Sequence, residues 1–302
     1  MHVQRTMNFE KVHIIINPAS GKEEPILSYL NKALINLGMR WEIMVTQPPD
    51  NDAFTIAEKL VGKTDLVIVY GGDGSVSEVA RALYDSETPM AIIPGGTANV
   101  MSKELGIPQD SVDAINLMVA GNYQIVEIDM GLANNVPFLL RINLGIMADM
   151  VLQANQELKD SFGQLAYGVT AIQTLISAEP VQYKMIIDEK EFTEEGVALT
   201  VTNAGSIGIS DFSLLPHMSV TDGYLDVILM NDADLFSVLR VAGSTLFQTE
   251  SDVLKHWRCK EVSLMMQNKV KYVADDSEKH DSEIHIKIVP KALKVLVPKH
   301  KL

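Results

Sequence analysis

DLVIVYGGDGSVSE, from Asp65 to Glu78, passes from an apolar run through Gly71-Gly72-Asp73-Gly74 into a stretch with apolar residues at Val76, Val79, Ala80 and Leu83. The run before the glycines shows no polar alternation, the pattern of a strand buried on both faces of a parallel sheet. The spacing after them is that of one helical face. Working outward, the same order of strand, turn and helix recurs on both sides. VHIIINPASGK (Val12 to Lys22) ends in Asn17-Pro18-Ala19-Ser20-Gly21, and MAIIPGGTAN (Met90 to Asn99) ends in Pro94-Gly95-Gly96-Thr97. RWEIMVT, Arg40 to Thr46, reads as a further strand. Between these, Pro25 opens a helix with Ile26, Leu27, Leu30, Leu34 and Leu37 on one face and Gly38 as its stop. Ala53, Ile56, Ala57 and Leu60 mark a second helix closed by Gly62. Successive β-α-β units build an open, doubly wound α/β sheet, whose ligands bind beyond the carboxyl ends of the strands.

From about residue 132 the pattern changes. VQYKMII, VALTVTN, YLDVILM and EIHIKIV are short and β-rich, and several alternate, which suits an antiparallel sheet or sandwich. Helical stretches interrupt it around Met147 to Ala178 and around Ala233 to Phe247. The expectation is an α/β domain over residues 1–131 and a β-rich domain over 132–302, the last strand packing back on the first domain and the active site in the cleft between them.

The chain has 302 residues, 47% apolar, 21% charged and 6% aromatic, the composition of a globular enzyme and not of a disordered or fibrous chain. Its 25 basic and 39 acidic residues leave a net charge of −14, which disfavours a nucleic-acid partner. The single cysteine, Cys259, excludes an intrachain disulfide and any multi-thiolate metal site, and a reducing cytoplasm is expected. The first residues lack the apolar core of a signal peptide, and the apolar runs are broken early, as at Arg141, so no membrane span is expected. The final run, IKIVPKALKVLVPKHKL, carries five lysines and no acid. It reads either as a patch for anionic lipid headgroups or as a solvated edge.

The three glycine-rich turns carry the chemistry. Glycine lets successive N–H groups form an anion-binding concavity above a helix N-terminus, and hydroxyls stand beside each turn at Ser20, Ser75 and Thr97. Three such turns favour a polyphosphate ligand over plain β-to-α connections that hold glycine for steric reasons. Ser75-x-x-Glu78 also fits a capping box. Asp73 would repel a phosphate unless a cation bridges them, which points to a magnesium nucleotide. Gly62-Lys63-Thr64 is no Walker A motif, because Ala57 stands where a glycine is needed, and the dinucleotide fingerprint fails at Ser77. No histidine pair has metal-ligand spacing, His280 and His285 read as parts of a surface loop and a strand, and no G-x-S-x-G elbow exists.

NPASG, GGDGSVSE and PGGTAN, in this order and each after a strand, resemble the three nucleotide-binding motifs of the diacylglycerol kinase catalytic-domain family, which includes bacterial lipid kinases, sphingosine kinases and ceramide kinases. The likeness spans nearly the whole chain, through Leu105 to Pro108, Asp129-x-Gly131, Asn143-x-Gly145, and Pro216 followed by Asp222-Gly223-Tyr224-Leu225-Asp226. GGDG alone also occurs in the more distant NAD and polyphosphate kinases. The resemblance implies ATP and Mg²⁺ as cofactors and transfer of the γ-phosphoryl group to a hydroxyl of diacylglycerol or a related lipid. It implies that Asn17, Pro18, Ala19, Ser20, Gly21 and Thr46 line the nucleotide. Gly71, Gly72, Asp73, Gly74, Ser75, Val76, Ser77 and Glu78 would hold its phosphates, and Gly96 with Thr97 would complete the pocket. It further implies a structural Mg²⁺ held by the Asp222 carboxylate with main-chain oxygens of Ser219 and Tyr224. Asp222-Gly223 reads equally as a hairpin turn.

Phosphoryl transfer to a lipid hydroxyl needs a carboxylate to accept or orient its proton. The family's Asp-Gly-Glu triplet aligns with Asp276-Ser277-Glu278, so Glu278 or Asp276 is the expected base, with Asp275 and Asp281 to Glu283 as competitors in another register. A solvated acidic loop is the plain alternative. This chain departs from the family at Ser277, where glycine is usual, and at Val100, where many members have aspartate. Two further readings stay open: a soluble-substrate kinase of the NAD-kinase type, and a non-catalytic nucleotide or lipid sensor on the same fold. The expected partners are a lipid substrate, peripheral contact with the inner membrane face, no nucleic acid and, as an open alternative to a monomer, a homodimer.

Overall fold

Strand β3 (Leu66–Gly71) has every residue buried, and β4 (Met90–Pro94) likewise, which is why neither segment alternates. The computed structural model describes residues 9–149, 151–152, 180–205, 218–231 and 254–299. It divides into two compact units. Unit 1 takes the chain up to Met130, a short piece beginning at Ala204, and the segment from Pro290; unit 2 takes Gly131–Asn203 and, among the later described residues, 218–289.

In unit 1, β1 (Lys11–Ile16) lies between β2 (Arg40–Val45) and β3, and β4 follows β3, all parallel. The order is therefore β2-β1-β3-β4. The end of β14 (Ser277–Pro298) lies parallel to β4, with Val295 opposite Met90, and β5 (Tyr123–Ala133) pairs with β14 in turn and, at its last residues, with the short β6 (Val136–Phe138). From Pro290 to Pro298 the basic C-terminal run is thus an inner strand of unit 1. Ala292, Leu293, Val295, Leu296 and Val297 are at most 3% exposed, and the Lys294 ammonium is paired with Glu87.

Helix α1 (Ile26–Leu34) buries Ile26, Leu30 and Leu34. Leu27, expected on the same face, is exposed, because one residue is a rotation of about 100° around the helix. Helix α2 (Ala53–Glu58) starts at Asp52, whose side chain accepts from the Thr55 N–H, and it buries Ala53, Ile56 and Ala57. Gly38 and Gly62 take the positive φ that stops these helices. Helix α3 (Asp73–Ala82) packs on α2, and α5 (Ser111–Val119) on α1. The short α4 (Val100–Glu104) follows β4. The helices expected around Met147 to Ala178 and Ala233 to Phe247 lie almost wholly outside the described residues, as does Pro216. No described helix is long and apolar enough to cross a membrane.

In unit 2, β7 (Arg141–Gly145), β10 (Ala198–Thr202), β11 (Leu225–Met230) and β12 (Leu254–Cys259) pair antiparallel in that order. β8 (Val181–Ile187) and β9 (Lys190–Gly196) form a hairpin. The long strand β13 (Glu261–Ala274) joins the two sets: Val262–Met265 pair with β8, and Tyr272–Ala274 with β7. Its register against β14 shifts between Met265 and Val270, the kind of irregularity that bends a strand from one layer into the next. Tyr183, Met185, Leu144, Val201, Val227 and Ile284 share one apolar cluster between the layers. Phe192 of β9 meets Trp257 of β12 edge to face at 5.6 Å, closing a sandwich-like unit.

Gly145 ends β7 with φ +65, and a Cβ there would stand 2.5 Å from the Val197 carbonyl oxygen. Gly145→Ala is expected to destabilise the protein by about 1–3 kcal/mol. A melting temperature equal to wild type in a circular-dichroism scan would show that the turn relaxes.

Candidate active site

The parallel register brings the ends of three strands level. Ile16 lies opposite Tyr70, and Tyr70 opposite Ile93, so the turns that follow begin side by side. Backbone bonds lace them together: Asn17 N–H to Tyr70 O at 3.0 Å, Gly95 N–H to Gly71 O at 2.8 Å, and Thr46 N–H to Ile16 O at 2.9 Å. Each sequence motif therefore ends at the same edge.

Side chains complete the junction. The Asn17 amide donates to the Ser75 hydroxyl at 2.8 Å and accepts from the Ala19 N–H at 3.0 Å. The Ser20 hydroxyl donates to the Asn17 carbonyl at 2.7 Å. Gly72 and Gly96 touch backbone to backbone, since a Cβ on Gly96 would lie 2.5 Å from the Gly72 Cα. Gly21 faces the Thr97 hydroxyl, 3.7 Å from where its Cβ would be. The Asn99 side chain, from a residue with φ +50, binds both the N–H and the carbonyl of Gly96. Asp73 accepts the Val100 N–H at 2.6 Å. Val100, apolar and buried, serves this contact through its backbone alone.

The expected capping box does not form. α3 starts at Asp73 with Gly72 as its cap and no side-chain cap bond, so Ser75 sits inside the first turn with its hydroxyl on Asn17. Glu78 instead accepts from the Ala53 N–H at 3.0 Å, holding the start of α2. Gly74 shares this first turn, and the Val76 side chain is in the core. Pro18 and Ala19 are exposed. The hydroxyls of Thr46 and Ser77 are buried and have no hydrogen-bond partner. Unpaired buried hydroxyls, an α3 N-terminus without a side-chain cap and glycine backbones in contact fit the phosphates of a nucleotide.

Beneath the turns lies a network the sequence did not reveal. The Lys22 ammonium binds the carbonyls of Pro94 at 2.8 Å and Gln109 at 2.6 Å. Glu24 accepts from the Tyr70 phenol at 3.0 Å and from the Ser111 hydroxyl. Burial, then the bond to Glu24, pushes the Tyr70 pKa from 10.0 to about 12. Lys22 and Glu24 tie the first turn to the chain after the third. No local pattern marks them, because their partners are up to 87 residues away.

In unit 2, β13 and β14 are joined by the turn Asp275-Asp276, with Asp275 at φ +53. Asp275 is no free base. Its carboxylate accepts the N–H groups of Leu139, Leu140 and Arg141 at 2.8, 2.8 and 3.0 Å, while desolvation pushes its pKa up against those donors. Asp281 accepts from the Tyr272 phenol at 2.8 Å, and Glu283 pairs with His285 at 3.2 Å. Asp276 and Glu278 are exposed, Glu278 lying 3.6 Å from His280. Both histidines belong to β14, so His280 stands on a strand and not in a loop.

The Asp222 carboxylate is paired with Arg258 at 2.9 Å and accepts the Tyr224 N–H at 3.0 Å. The guanidinium also lies 4.2 Å over the Tyr224 ring. The Ser219 carbonyl accepts from the Asp222 N–H at 3.4 Å. Asp222, Ser219 and Tyr224 thus meet within one turn. Among the described residues no group of three or more His, Cys, Asp or Glu is gathered for a metal.

Residues 11–133 match the diacylglycerol kinase catalytic domain, and residues 141–297 the YegS C-terminal NAD kinase beta sandwich-like domain. The chain belongs to the diacylglycerol kinase catalytic-domain family. An uncharacterized protein of Synechocystis sp. is 30% identical over 95% of this chain and 70% of its own length. A diacylglycerol kinase of Bacillus subtilis is 29% identical over 78% of this chain and 79% of its own. The crystal structure of a diacylglycerol kinase from Bacillus anthracis superposes with a TM-score of 0.77 over 98% of this chain, a likeness of fold at 23% identity. Another Bacillus anthracis chain reaches 0.82 over 98% of this chain at 26% identity. As a member of this family the protein is a kinase, a phosphotransferase.

Gly96→Ala is expected to weaken ATP binding at least about tenfold, because the added methyl separates two turns that bind as one surface; calorimetric titration with unchanged affinity would refute the shared surface. Tyr70 has a folded pKa above its unfolded value, so its contribution to stability is intact below pH 10 and is lost as pH rises through about 12. Tyr70→Phe is therefore expected to flatten the alkaline fall of the melting temperature over that window.

Proposed function

We propose that this kinase transfers the γ-phosphoryl group of ATP to a hydroxyl of diacylglycerol or a related lipid. The observation that carries this reading is the convergence of the three turns on the Gly72–Gly96 contact, with the unpaired Thr46 and Ser77 hydroxyls as further support. In it, unit 1 holds the nucleotide and unit 2 supplies the acceptor side. The hydroxyl oxygen attacks the γ-phosphorus, the bridging bond from the γ-phosphorus to the β-phosphate oxygen breaks, ADP leaves, and Glu278 takes the hydroxyl proton. Asp276, its exposed neighbour, is the second carboxylate of this stretch. Phosphate negative charge would be neutralised by turn N–H groups and by a magnesium ion held at Asp73. The reading includes a cytoplasmic enzyme that meets its lipid through peripheral contact with the membrane; the buried lone Cys259 fits a reducing compartment.

Incubation of the purified chain with ATP, Mg²⁺ and dispersed diacylglycerol is expected to yield phosphatidic acid. Asp73→Ala should abolish the product, and Glu278→Gln should lower kcat by about 10²–10⁴ while leaving ATP binding intact. A folded protein that makes no lipid phosphate from diacylglycerol, monoacylglycerol or sphingoid bases, or that phosphorylates NAD instead, overturns the proposal.

A further inference from the structure

The β7-β10-β11-β12 layer of unit 2 has two faces. Ile142, Leu144, Leu199, Val201, Leu225 and Val227 point into the cluster shared with β8. Register pairs set out a row on the other face: Glu278 opposite Val273, Val273 opposite Asn143, and Asn143 opposite Thr200. Directly paired residues project to the same side of a sheet, so the candidate base and Asn143 share one face with a single apolar residue between them. Two inter-strand steps separate their backbones by roughly 10 Å.

Asn143 is 1% exposed. Its carboxamide can donate and accept several hydrogen bonds, yet it meets one partner: Oδ1 accepts from the Thr200 hydroxyl at 3.0 Å, and Nδ2 has none. Turning the amide over only exchanges which atom is unpaired, since Thr200 supplies the single contact. An unpaired buried amide weakens a fold, so it is best explained by a ligand that pairs it. We infer that Asn143 is an acceptor-binding residue that donates from Nδ2 to an oxygen of the lipid headgroup whose hydroxyl is directed to Glu278. The inference rests on the lipid-kinase reading and narrows its substrate. An amide donor matches an ester carbonyl or second hydroxyl, and a carboxylate in the same row repels anions, so the headgroup is neutral and oxygen-rich, as in an acylglycerol.

The test is equilibrium binding of dioctanoylglycerol in octyl glucoside micelles to the full chain without nucleotide, read by titration calorimetry against empty micelles. Asn143→Leu, which keeps the heavy-atom branching, removes the unpaired amide and gives up the bond from Thr200, is expected to remain folded and to bind about tenfold more weakly. Asn143→Ala serves where the leucine is not accommodated and should weaken binding equally. A folded variant with wild-type affinity, or a wild-type chain that does not bind the lipid, overturns the inference. Binding that depends on Asn143 without any lipid phosphate formed from ATP would leave the inference standing and remove the kinase reading; phosphorylation with binding indifferent to Asn143 would do the reverse.

Discussion

The backbone contact between Gly72 and Gly96 is the constraint on which the nucleotide side of the protein depends. With a Cβ on Gly96 set to fall 2.5 Å from the Gly72 Cα, no other residue at that position keeps the second and third turns in contact. The contact then fixes what surrounds it. It puts the first turn of α3 beside the first turn of α4, so that Asp73 reaches the Val100 N–H, and Asn99 binds both polar atoms of Gly96. Parallel pairing makes this possible by ending β1, β3 and β4 level. Apolar strands without alternation and glycine turns are therefore one requirement, because a sheet buried on both faces leaves only its ends for polar chemistry.

That requirement is also why the fold of unit 1 was legible. Runs such as DLVIVY and MAII declare burial on both faces, and three turns after such runs can only share an edge. What was hidden were the long-range jobs of polar residues. Ser75 and Glu78 satisfy a local capping rule, yet Ser75 serves Asn17, 58 residues away, and Glu78 serves Ala53, 25 residues away. Lys22 and Asp275 have no local rule at all; their partners are backbone groups brought near by tertiary structure. A spacing pattern reports contacts along one element, and these contacts join different elements. Leu27 is a smaller case, where an apolar residue beside a helical stripe was counted into it.

Unit 2 was legible as antiparallel strands and less so as a layered body, for a physical reason. β13 is continuous in sequence but changes partner midway, from β8 to β7, and nothing in QNKVKY announces the shift. The faces are better encoded: in β7, Ile142 and Leu144 alternate with Asn143, and in β10 Leu199 and Val201 alternate with Thr200. Alternation usually separates core from solvent. Here the polar partners are buried too, Asn143 at 1% and Thr200 at 7%, so the pattern correctly names the faces and misnames the environment of one.

The acidic excess can now be divided by function. Glu78 and Asp275 are committed to backbone N–H groups, and Asp222 to Arg258. Such carboxylates act as structural acceptors, and their charge is met by donors. Asp281 is bound to Tyr272. Of the acids from Asp275 to Glu283, Asp276, Glu278 and Glu283 are exposed, Glu283 being paired with His285, and of these Glu278 lies in a row with polar side chains of β7 and β10. The serine that replaces the family's glycine at 277 is itself part of β14, opposite Ala274, so it extends the strand instead of loosening the turn. The substitution therefore leaves the Glu278 register intact. Val100 follows the same logic: the contact at that position is made by the backbone N–H, and an apolar side chain there keeps the hold on Asp73 while withdrawing a charge from its surroundings.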